Sequence, residues 1–122
     1  DVMRTGDAVP QVGPDAPFGE LMREMGDKGM GAAAVVDAEG RVLGLFTAGD
    51  LRRHVERGVD LRASLARDIM NASPRTIRAD VLAVEAVELM EQYRITLVLV
   101  VDESGRLCGA VNTNDLLRSK VI

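Results

Sequence analysis

The chain has 122 residues, room for one globular domain or for two half-size repeats sharing a core, and its 47% hydrophobic and 28% charged content is that of a folding sequence. Fifteen Lys and Arg against nineteen Asp and Glu give a net charge of -4, which leaves no basic excess to neutralise a nucleic-acid backbone. Phe18, Phe46 and Tyr93 are the aromatic residues and Trp is absent, so no stacking platform for single-stranded nucleic acid is expected either.

In chain order, Val9, Gln11 and Val12 alternate as a short strand would. Asp15 is placed to cap a helix with Pro17 in its first turn, Phe18, Leu21, Met22 and Met25 as its apolar stripe, and Gly29 as its stop. The near-continuous apolar run from Gly31 to Val36 suits a strand buried on both faces. Asp37-Ala38-Glu39-Gly40-Arg41 then supplies turn chemistry for a hairpin, Val42 to Thr47 returns as the third strand, and a last helix opens near Asp50.

After a connecting helix over Ala66 to Met70, the same order recurs. Thr76, Ile77 and Arg78 form a strand, Asp80 is placed to cap a helix, and Leu82, Ala86, Leu89, Met90 and Tyr93 make its apolar face. Leu97 to Val101 is a buried strand, Asp102 to Arg106 a turn, Leu107 to Asn112 a strand, and a helix opens near Asp115. The two halves match at offsets of 65 to 68 residues: Asp1-Val2-Met3 with Asp68-Ile69-Met70, Val35-Val36-Asp37 with Val100-Val101-Asp102, Gly44 with Gly109, and Asp50-Leu51 with Asp115-Leu116. The expected fold is mixed α/β: tandem β-α-β-β-α repeats at 1–58 and 68–122, joined by a linker at 59–67. Each repeat packs its helices on one face of a small mixed sheet, and the sheets dock on each other, because one unit of this size is marginal alone.

Cys108 has no partner for an intrachain disulfide, and with His54 the single histidine there is no zinc-type cluster. Cys108 reads as a small buried hydrophobe and His54 as a surface residue. No apolar run approaches the roughly 18 residues of a membrane span, and no signal peptide is visible, so a cytoplasmic location without a membrane partner is expected. No phosphate loop, paired-carboxylate motif or metal-ligand spacing is present, so neither a catalytic residue nor a metal site is assigned.

These elements, with the Asp-(Val/Ile)-Met lead-ins, the Val-Val-Asp-x-x-Gly-Arg hairpins and the segments Gly44 to Leu51 and Gly109 to Leu116, make the whole chain resemble a tandem pair of CBS domains. Within that family, Phe46-Thr47-Ala48-Gly49-Asp50-Leu51-Arg52-Arg53, Gly58-Val59-Asp60, the helix from Ala83 to Met90 and the tail from Asp115 to Ile122 resemble the C-terminal pair of bacterial D-arabinose 5-phosphate isomerases. The resemblance implies a longer parent that joins this pair to an N-terminal sugar isomerase domain of the pathway to Kdo and lipopolysaccharide. No counterpart of that domain is visible here. The pair itself would be a regulator that binds a nucleotide or nucleotide sugar, such as CMP-Kdo, in the cleft between repeats and forms a homodimer through its helices. The alternative is a ligand-free assembly module.

Carried over by position, the resemblance nominates Thr47 and Asp50 in the first repeat and Asn112 and Asp115 in the second. A carboxylate can accept from two vicinal ribose hydroxyls; the bland reading is that both Asp residues complement a helix dipole. Gly31, Ala32 and Thr96 would form the cleft floor and Thr76 and Ile77 its rim, the first repeat being the more open because Leu97 stands where Ala32 does. Arg52 and Arg53 are phosphate candidates, weighed against a solvated helix face. Ala48 and Asn114 depart from the polar residue and histidine common at these positions in the family.

Overall fold

The computed structural model describes residues 3–80 and 83–118. The first repeat runs β1 (Gln11–Val12), α1 (Phe18–Lys28), β2 (Ala32–Val36), β3 (Val42–Thr47) and α2 (Ala48–Glu56); a single 3-10 turn at Leu61–Ala63 and α3 (Ala66–Ile69) follow. The second repeat runs β4 (Thr76–Arg78), α4 (Ala83–Tyr93), β5 (Leu97–Val101), β6 (Leu107–Asn112) and α5 (Thr113–Arg118). In each repeat the central strand pairs parallel with the first strand across the helix and antiparallel with the third, giving sheet orders β1-β2-β3 and β4-β5-β6. The mixed α/β fold therefore matches the sequence expectation.

The fully apolar central strands explain the layering. Ala33, Val35 and Phe46 face α1 and α3, where Leu21, Met25, Ala66 and Ile69 close the first helical core. Val98, Val100 and Val111 do the same against Met90 and Leu116 in the second. The opposite faces meet each other: Ala32 and Ala34 from β2 pack with Leu97 and Leu99 from β5 and with Ala110. Small residues on one sheet thus receive large ones from the other. The hairpin tips also pair, Val42 N–H donating to Gly105 (3.0 Å) and Leu107 N–H to Gly40 (2.8 Å).

Each lead-in segment crosses to the opposite repeat. Asn71 pairs with Leu45 of the first repeat, and Arg4 pairs with Ala110 of the second through two hydrogen bonds of 2.9 and 3.0 Å. Close approach explains the matched glycines. A Cβ on Gly44 would stand 2.5 Å from the Met70 sulfur, and one on Gly109 would stand 2.5 Å from the Arg4 carbonyl oxygen.

Some sequence expectations change. Pro17, not Asp15, occupies the cap position of α1 and makes no side-chain cap; Asp15 instead pairs with Arg67 on α3, 52 residues away. Gly29 stops the helix as expected, with φ 65° and its N–H on the Met25 carbonyl. Leu82 and the residues just before α4, like Asp1, Val2 and the final Val121 and Ile122, lie outside the described residues. Tyr93 is 38% exposed and leaves the apolar face it was assigned to. His54 is half-buried, stacked 6.3 Å from Phe46, with Nε2–H donating to the Ile69 carbonyl (2.9 Å), so it ties α2 to α3 instead of lying free on the surface. Cys108 is half-buried beside the second helical core.

Candidate functional site

A cleft of about 570 Å³ lies between the repeats. Its first-repeat wall is built where β2 begins and β3 ends. Gly31, with φ 71°, turns the chain into β2, and its carbonyl accepts from the N–H of Ala48 (3.0 Å), which fixes the start of α2 beside the strand. Thr47 caps that helix. Its hydroxyl accepts from the Asp50 N–H (3.1 Å), while the Asp50 carboxylate accepts from the Thr47 N–H (3.0 Å), a reciprocal capping box. Arg53, one turn on, pairs with the other Asp50 oxygen.

The facing wall comes from the second repeat and from the chain entering it: Pro74 and Arg75 before β4, Tyr93 at the end of α4, and Arg94 and Thr96 between α4 and β5. The Arg75 guanidinium lies 3.6 Å over the Tyr93 ring. Arg94 adopts φ 54°, the same left-handed conformation as Gly29 after the equivalent helix. Arg53, Arg75 and Arg94 therefore converge on a cleft whose lining carboxylate, Asp50, is already held by its cap. Such a site offers donors and positive charge to an anion, with small Gly31 and Ala32 on its floor.

Of the positions named from sequence, Gly31, Ala32, Thr47, Asp50, Arg53 and Thr96 line this one cleft. Arg52 does not; its side chain is 75% exposed and lies 3.9 Å from Glu56. Thr76 and Ile77 form β4, with Ile77 packed on the second helical core, and it is the residues just before them that reach the cleft. Arg75, Tyr93 and Arg94 were not singled out. Tyr93 was counted with the apolar helix stripe. A comparison of Arg94 with its counterpart Gly29 would have flagged it, because a long cation replaces glycine in a conformation that favours glycine.

Asn112 and Asp115 form a separate, closed arrangement. Asn112 caps α5, its Oδ1 accepting from the Asp115 N–H at 2.7 Å, and both side chains are buried. The Asp115 carboxylate is gripped by Arg4, Nε at 2.9 Å from Oδ2 and Nη2 at 3.4 Å from Oδ1, and it also pairs with Arg118. The Arg4 hydrogen bonds, with a smaller contribution from Arg118, hold the Asp115 carboxyl below the ordinary carboxylate value despite its burial.

Two repeats with docked sheets and a cleft between them with a capped helix at its edge define the class, and comparison with known proteins agrees: the CBS domain model matches residues 1–57 and 66–121. The chain belongs to the CBS domain family and is a CBS pair. All of it aligns at 41% identity with the arabinose 5-phosphate isomerase KdsD of Pseudomonas aeruginosa, spanning 37% of that protein's length. Among solved structures it resembles the CBS domain protein PAE2072 of Pyrobaculum aerophilum complexed with AMP, with TM-score 0.79 and 26% identity over 93% of this chain and 89% of that one. It also resembles the cytosolic domain of the Mg2+ channel MgtE in complex with ATP, with TM-score 0.76 and 28% identity over 95% of this chain and 46% of that one. Among the described residues no helix is long and apolar enough to cross a membrane.

Proposed function

We propose that this CBS pair is a regulatory module that binds one phosphate-bearing nucleotide in the inter-repeat cleft. The observation that carries the reading is that Arg53, Arg75 and Arg94 line the same cleft as the Thr47–Asp50 capping box. Asp50 accepts from ribose hydroxyls, the arginines meet the phosphates, and the base lies over the small floor at Gly31 and Ala32. AMP and ATP in the neighbours at 26% and 28% identity support an adenosine nucleotide. A cytidine nucleotide sugar such as CMP-Kdo, which adds a carboxylate to a phosphodiester, is the second ligand the cationic wall suits. In a longer parent the pair would report that ligand to an N-terminal sugar isomerase domain, as the likeness to KdsD suggests, by favouring one domain packing over another.

Thermal unfolding of the chain with AMP, ATP, adenosine and CMP-Kdo tests the ligand class. A shift with the phosphorylated compounds that exceeds the shift with adenosine and is lost in Asp50→Ala is expected; equal shifts with adenosine contradict the phosphate assignment.

A second reading, assembly of two copies through α4 and α5, is supported by Val84 and Leu117, which stand 61% and 53% exposed on these helices, and by an apolar groove lined by Val87, Met90, Ile95 and Leu116. Sedimentation of the chain and of Leu117→Glu reads it: a dimer that Leu117→Glu splits supports assembly, and a monomer in both contradicts it.

A further inference from the structure

The two lead-in segments are built alike but end differently. Asn71 and Arg4 each follow a methionine, each pairs with the middle of a third strand, and each passes over a glycine that has no Cβ to obstruct it. Asn71 is short: its Oδ1 accepts from the N–H of Ser73, two residues on, so the side chain stays within its own turn, and Asp50 is held within its own repeat by Thr47 and Arg53 beside the cleft. Arg4 is long. Besides the two-point hold on Asp115, its Nη1 donates to the carbonyl of Lys28 at the end of α1, at 2.8 Å. One guanidinium therefore spans from the last helix of the second repeat to the first helix of the first.

We infer that Arg4 is a tethered occupant of a second cleft, the counterpart beside Asp115 of the one beside Asp50, so that the chain takes one nucleotide per pair, and that removing it opens a second place for the same ligand class. The ligand class rests on the function proposed above; the occupancy of the second cleft by Arg4 does not. Arg4 pairs with Asp115 and bridges the repeats, whereas beside Asp50 the lead-in side chain, Asn71, turns to its own backbone and the repeat's own Arg53 holds the carboxylate. Arg4 is tethered, and a free nucleotide must displace it against a very high local concentration. Its position on the lead-in segment also couples the second cleft to whatever holds that segment.

Calorimetric titration with ATP tests this in the chain itself and in Arg4→Asn, which installs the residue of the other lead-in, Asn71. The expected stoichiometry is one in the chain and two in the variant. Two in the chain, or one in a variant that circular dichroism shows to be folded, overturns the proposal. Arg4→Gln serves in the same way if the Asn variant is unfolded. Should ATP bind to neither, the first-cleft reading has failed and the occupancy is read separately: millimolar methylguanidinium should restore the melting temperature of Arg4→Gly in a saturable way, and not that of Arg4→Gly combined with Asp115→Asn. Absence of that restoration overturns the occupancy.

Discussion

The two halves of the chain place the same acidic residue at the same point of the same helix, yet Asp50 and Asp115 live in different surroundings. Asp50 closes a capping box with Thr47, keeps Arg53 one turn away and borders an open cleft. Asp115 is 8% exposed and gripped by Arg4 and Arg118. Duplication thus preserved the scaffold, while the lead-in side chain, Asn71 or Arg4, leaves one Asp paired within its own repeat at the edge of a cleft and the other buried in an ion pair that crosses between repeats.

The largest effect that would break this contrast is on binding. Asp50→Ala should weaken ATP at least about tenfold, equivalent to about 1.4 kcal/mol, and cost about 1 kcal/mol of stability through the lost bond from the Thr47 N–H to the carboxylate; Asp115→Ala should leave ATP affinity within about twofold, since that carboxylate is taken up by Arg4. Calorimetry on both variants reads the difference, and equal losses would contradict it.

Gly44→Ala forces a methyl against Met70 and the Asn71 carbonyl, 2.8 Å from that backbone oxygen, and should destabilise the chain by about 2 kcal/mol in denaturant unfolding. Because Asn71 lines the open cleft, the same variant should also weaken ATP.

The third difference is in pH dependence. With its folded value lowered by Arg4 first and Arg118 second, Asp115 contributes stability that is fully present above its unfolded pKa of about 3.9 and is lost as pH falls through the lower folded value. Asp115→Asn should therefore lower stability at neutral pH by about 1 to 2 kcal/mol and flatten the acid limb below about pH 4. An unchanged acid limb would contradict the pairing. Smallest of all, Arg75→Ala should weaken ATP about threefold and reduce its salt dependence, whereas Arg52→Ala, on the outer face of α2, should change neither.

The fold was legible because the repeat states each element twice. A weak strand such as Gln11–Val12 is supported by its partner Thr76–Arg78, and the hairpin turns repeat Asp-x-x-Gly-Arg with the same purpose: Asp37 and Asp102 each accept two backbone N–H bonds across the turn. Contacts made across long sequence separation were not legible. Asp15 reads as a cap locally and finds Arg67 only after folding. Of the residues lining the cleft, Thr47 and Asp50 were named through the family resemblance and Gly31 as a small residue entering a central strand. Arg75 and Arg94 were not, because an isolated arginine in a connection carries no periodic signal and becomes informative only when set against its counterpart. Arg4 was hidden for the same reason: its role depends on Asp115, 111 residues away.

The most direct test of the account is the melting temperature of the chain and of Asp50→Ala with saturating ATP. At 100 times its dissociation constant a ligand should stabilise the fold by about 2.7 kcal/mol, and the account predicts a clear rise in the chain that Asp50→Ala abolishes. A rise of equal size in both, or none in either, would contradict a nucleotide site at Asp50.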